Sequence, residues 1–236
     1  MTPDEMIERL LDPSSDVEGG VIANELPAAF WHDYPIENLR RLFVPAAIGY
    51  AAFLASELGR KVRPLLREVT ELLEDGTPLV RGDAIEAISQ CATWEDGWAI
   101  AKIVKALGDP HEGVRWTTCN ALRYMESSQV LAGLEYLHAN EPTSIVASFK
   151  NLFLALRRPE SAIATLEKLL THKDPVARRF GAAMAVRPRL FIDPALVATT
   201  AITKDVEVLK LVREATERPL PPWAVWTGEN PTRVEG

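Results

Sequence analysis

Along residues 103–122, IVKALGDPHEGVRWTTCNAL, apolar side chains recur at helical spacing up to Gly108-Asp109-Pro110. Val114 and Arg115 open a second segment, in which Thr118, Ala121 and Leu122 follow Val114 at +4, +7 and +8. That spacing predicts a helix, a tight turn and a second helix with one inward face. The same arrangement stands 34 residues earlier as Leu73, Asp75, Val80-Arg81, Ala84, Ala87 and Ile88. A unit repeated at a fixed period is one that cannot bury its apolar face alone and does so against its neighbours.

The rest of the chain reads on the same template. A third unit is expected at 128–156, where Leu131, Leu134 and Leu137 precede the turn Glu141-Pro142-Thr143, and Ile145, Phe149, Leu152 and Phe153 follow it. A fourth covers 160–186, with Leu166, Leu169 and Leu170 before His172-Lys173-Asp174-Pro175 and Ala177-Arg178 after it. A fifth, degenerate unit covers 194–217. Upstream, the pattern predicts helices over 5–11, 16–30, 36–42 and 46–58, with a turn at 12–15, a break at Pro35 and Gly59 as a C-cap. Residues 218–236 hold Pro219, Pro221, Pro222 and Pro231 and cannot form a long helix. They form either a free tail or, the preferred reading, a cap in which Trp223 and Trp226 cover the last repeat.

Leu73, Asp75, Val80, Arg81, Ala84 and Ala87, with Leu107, Asp109, Pro110, Val114, Arg115 and Ala121, carry a resemblance to the HEAT-repeat family in its short form. The resemblance implies an all-α chain, a right-handed α-solenoid of helix pairs over 1–217 with its clearest repeats at 62–186, and a concave face that grips another protein. Arg81, Arg115 and Arg178 follow turn acids at similar spacing, so a ladder of Asp–Arg pairs between successive units is expected.

Composition narrows the chemistry. With 47% hydrophobic and 25% charged residues the chain can bury a core. A net charge of −7 makes nucleic acid an unfavoured partner, because phosphate binding needs a basic footprint. Residues 1–36 carry eight acids and one base, whereas 150–190 carry nine bases and three acids; such asymmetry suits a protein partner. Cys91 and Cys119 are read as buried, reduced thiols of a cytoplasmic protein, and the acidic start does not resemble an export signal. The longest apolar run, 44–55, is too short to span a membrane.

His32, His111, His138 and His172 lack metal-ligand spacing, and no phosphate loop or nucleophile elbow is present. No cofactor, metal or catalytic residue is therefore expected. The residues expected to meet a partner are Trp94, Trp98, His111, Glu112, Trp116, Arg178 and Arg179, since Trp and Arg dominate binding hot spots. The expectation is a non-catalytic scaffold for a protein partner; one specific form of it is a bacterial immunity protein that occludes a basic toxin. Two alternatives rest on resemblance. HEAT-like DNA glycosylases hold damaged bases with tryptophans, an aspartate and basic residues, a set to which Trp94, Trp98, Asp96 and Arg115 bear some similarity. Pigment lyases also contain short HEAT-like repeats.

Overall fold

The computed structural model describes residues 1–12, 16–188 and 193–217. The turn expected at 12–15 lies outside them from residue 13 onward, as does the expected cap at 218–236. Every regular element among the described residues is helical: α1 (Pro3–Leu11), α2 (Asp16–His32), α3 (Ile48–Leu58), α4 (Leu66–Glu71), α5 (Pro78–Cys91), α6 (Gly97–Lys105), α7 (Glu112–Tyr124), α8 (Ser127–Asn140), α9 (Ser144–Ala155), α10 (Pro159–Leu170), α11 (Pro175–Ala185), α12 (Pro194–Thr199) and α13 (Val206–Glu217). No helix among them is long and apolar enough to cross a membrane. The chain divides into two compact units, Met1–Val146 and Ala147–Gly236, with the division inside α9.

Local chemistry sets the helix ends. α1 starts at Pro3 rather than residue 5 because Thr2 and Glu5 form a reciprocal capping box, with Pro3 at the first helical position. α2 runs through Pro27 and ends at His32; the chain leaves it through Asp33 at φ 145°. Lys61 then donates to the carbonyls of Phe30 (2.7 Å) and Trp31 (3.1 Å), satisfying the last turn of α2. Residues Ile36–Leu42 are helical but wound as a 3₁₀ segment. Gly59 closes α3 at φ 51°, and a side chain there would strike Gln90 Oε1 at 2.7 Å.

In the first unit the helices stack like on like. α3, α5 and α7 pack in succession, while α4 packs on α6 and α6 on α8. The repeat positions explain the spacing of these contacts. Val80 and Val114 are buried, Ala84 and Ala87 are inaccessible, and Thr118 fills the small-residue position with its hydroxyl bonded back to Val114 O at 2.8 Å. Leu107 is fully buried, as the template requires, but its counterpart Leu73 is only half-buried and Leu72 takes the interior place. α4 ends in a 3₁₀ turn over Leu72–Glu74, as α6 does over Ala106–Gly108. α6 and α8 touch through glycine: a Cβ on Gly97 would lie 2.6 Å from Ala132 O, and one on Gly133 2.6 Å from Ile100 Cγ2.

The second unit packs α10 against α11 and α12, and α11 against α13. Phe149 and Phe180 stack with ring centroids 4.2 Å apart. Arg187 is buried beneath them in sequence, its guanidinium 5.5 Å from the Phe153 ring.

Candidate functional site

Two turns of identical construction place the N-termini of α5 and α7 side by side. Asp75 Oδ1 accepts from Thr77 N at 2.7 Å, and Asp109 Oδ1 accepts from His111 N at 2.8 Å. Each turn is also clamped by the arginine six residues on. Arg81 Nη1 donates to Asp75 O at 2.8 Å, and Arg115 Nη1 donates to Asp109 O and Pro110 O at 2.8 Å. Arg81 then reaches to the next unit, with Nε and Nη2 on the Asp109 carboxylate at 2.8 and 2.9 Å. Burial works against the Asp109 carboxylate, but hydrogen bonds from Arg81 and from His111 N–H hold its pKa below the usual value.

With the turns locked together, α5 and α7 leave a groove of about 310 Å³ between them. Pro78, Leu79, Gly82, Asp83 and Glu86 line it from α5. His111, Gly113, Val114 and Thr117 line it from α7. Leu79 is 72% exposed at the rim. Gly82 keeps the floor open: a Cβ there would approach Thr117 Oγ1 no closer than 3.9 Å.

The carboxylates of the groove are electrostatically uncompensated. Burial first, then the charges of Glu86 and Glu57, push the Asp83 pKa up to about 6. Glu86 is raised as well, by burial and by Glu57 of α3. Among the described residues no Lys or Arg pairs with Asp83, Glu86 or Glu57. Three partly buried acids elsewhere on this unit have cations: Glu68 has Arg40 at 2.7 Å, Asp96 has Arg63 at 3.3 Å and Asp109 has Arg81. The acidic N-terminal stretch is likewise partly neutralised, because Arg41 pairs with both Asp4 and Glu8 and Tyr34 donates to Asp4.

Of the seven residues expected to meet a partner, five lie in the first unit and Arg178 and Arg179 in the second. His111 lines the groove, with exposed Glu112 beside it at the start of α7 and half-buried Trp116 one turn further. Trp94 is 64% exposed on the turn before α6, and Trp98 is half-buried within α6. In the second unit, Arg178 pairs with Asp205 at 2.7 Å and donates to His172 O at 2.8 Å, repeating the clamp made by Arg81. Arg179 pairs with Glu207 at 2.8 Å. Asp96 accepts from Thr93 N at 2.7 Å and Thr93 Oγ1 at 3.0 Å, and so is engaged in shaping its own turn. Cys91 and Cys119 are buried, and burial pushes the Cys91 thiol up to about 12. No group of three or more His, Cys, Asp or Glu side chains among the described residues could hold a metal ion.

Leu79, Asp83 and Glu86 were not among the expected partner residues. The signal for them is the 34-residue shift itself. It sets Leu79, Gly82, Asp83 and Glu86 against Gly113, Trp116, Thr117 and Asn120, so both sides of the groove are positions where the two units diverge. No protein-family model matches the chain, and no curated protein matches it.

Proposed function

We propose that this protein is a non-catalytic binding module, a right-handed α-solenoid of HEAT-like helix pairs that grips a partner protein on the face carrying the α5–α7 groove. The observation that carries the reading is the groove itself, where exposed Leu79 stands beside half-buried Asp83 and exposed Glu86, neither paired with a cation among the described residues. Apolar contact would supply the adhesion, and the acidic field would steer and select the partner. Stacking of α3, α5 and α7 as one row and α4, α6 and α8 as another is what a solenoid of paired helices requires. The engagement of Asp96 and Arg115 in holding turns weighs against a base-binding site at Trp94 and Trp98. An immunity-type role in the cytoplasm, occluding a basic toxin, is the specific form that this charge pattern suits.

The test is affinity capture from the native host with the wild-type chain and Leu79→Asp as parallel baits. A protein retained by the wild type and lost with the variant is the expected result. Saturable, salt-sensitive binding to DNA in a mobility-shift assay, with no such protein captured, would overturn the reading.

A further inference from the structure

We propose that the α5–α7 groove receives a lysine or arginine side chain of the partner, its cation against Asp83 and Glu86 and its methylene stem along Leu79 and Pro78. The inference rests on the binding-module reading and adds the chemistry of what is bound.

Three observations carry it. First, the groove is a cavity of about 310 Å³ with one apolar rim and one acidic wall, the division that a long basic side chain itself has. Second, desolvation disfavours carboxylates at Asp83 and Glu86, and Glu57 on the neighbouring helix adds repulsion, so a cation placed there relieves both penalties together. Third, Glu68, Asp96 and Asp109 elsewhere on the unit are met from within by Arg40, Arg63 and Arg81, while Asp83 and Glu86 have no such partner among the described residues. The open floor at Gly82 leaves room for the incoming side chain. A planar guanidinium can engage two carboxylates at once, so arginine should bind more tightly than lysine.

The experiment uses the full chain and fluorescence anisotropy with labelled arginine-rich, lysine-rich and glutamate-rich peptides of equal length, at low and at physiological salt. Expected is saturable binding of the arginine-rich peptide, weaker binding of the lysine-rich one and none of the glutamate-rich one. The double variant Asp83→Asn/Glu86→Gln should lose about tenfold in affinity. Glu25→Gln/Glu37→Gln removes the same charge from two exposed acids in other helical segments and should change affinity less than about twofold. Neutralising the groove relieves repulsion, so that variant is expected to stay folded, which circular dichroism checks. Equal losses for the two double variants would overturn the proposal, as would binding that does not saturate. If a native partner is lost with Leu79→Asp but bound unchanged by the groove double variant, the binding module stands and the basic-side-chain inference fails.

Discussion

Arg81 and Asp109 face each other as a bidentate pair, Nε to Oδ2 at 2.8 Å and Nη2 to Oδ1 at 2.9 Å, with only 11% and 9% of their side chains exposed. The pair joins the first turn of α5 to the turn before α7, while the third guanidinium nitrogen closes the turn before α5 on Asp75 O. One residue thus determines both the shape of a turn and the register of its neighbour. Arg81→Ala leaves Asp109 buried without its cation, and should cost about 3–5 kcal/mol in urea unfolding. Arg81→Lys keeps the charge but not the fork, and should recover less than half of that loss. The Asp109 carboxylate has a folded pKa below its unfolded one. Its contribution is therefore fully present above the unfolded pKa and is lost as pH falls through the lowered one.

Asp83 behaves in the opposite sense. Its folded pKa of about 6 lies above the ordinary carboxylate value of 3.8, so its protonated form favours the folded state. The stability it adds is fully present below the unfolded pKa and is lost as pH rises through about 6. Asp83→Asn should stabilise the protein at neutral pH by about 1 kcal/mol, after discounting for water at the groove mouth, and flatten the pH profile between the two pKa values. Thermal melts of the wild type and variant across that window measure it; a variant less stable at neutral pH would contradict the electrostatic account.

The α6–α8 contact depends on absent side chains. Gly133→Ala would place a Cβ 2.6 Å from Ile100 Cγ2 and 3.2 Å from Ala101 N, and Gly97→Ala one 2.6 Å from the Ala132 carbonyl oxygen. Alanine is the better helix former by about 1 kcal/mol, but forced separation of the helices should outweigh that, leaving each variant about 1–3 kcal/mol less stable. Gly20→Ala in α2, with nothing within 4 Å of the added Cβ, should be neutral or stabilising in the same denaturant titration.

Arg178 and Arg179 test whether basic residues of the second unit serve its fold. Their side chains are 23% and 13% exposed and paired with Asp205 and Glu207. Arg178→Ala should destabilise by about 1–3 kcal/mol, whereas Arg157→Ala, an exposed arginine after α9, should fall within about 0.5 kcal/mol of the wild type. Chemical denaturation followed by circular dichroism compares the two.

Much of this structure is legible before any coordinates, because a 34-residue recurrence of Asp, Val-Arg and small residues specifies turn, clamp and close packing together. The expected ladder is present at Arg81–Asp109 and Arg178–Asp205. At position 143, one period after Asp109, stands Thr143, which caps α9 through Val146 N at 3.2 Å. The interior place of Leu72 rather than Leu73 was not legible, since two adjacent leucines fit the apolar pattern equally and only the packing decides which faces inward. The same holds for Arg178 and Arg179: a basic run suggests a surface, and only the position of the next helix reveals that its acids are within reach.

The sequence by itself determined the helical class and the residues that lock the turns at Asp75 and Asp109, since these depend on contacts a few residues apart and on a 34-residue shift that can be counted. Tertiary structure alone decided that Asp83 stands beside Glu86 and Glu57 with no cation among the described residues. Asp109 and Asp83 are both acids near the start of a helix in one pair of repeats. One lies against Arg81 and the other beside Glu86 and Glu57, and that difference is a matter of which side chains adjacent helices bring within reach.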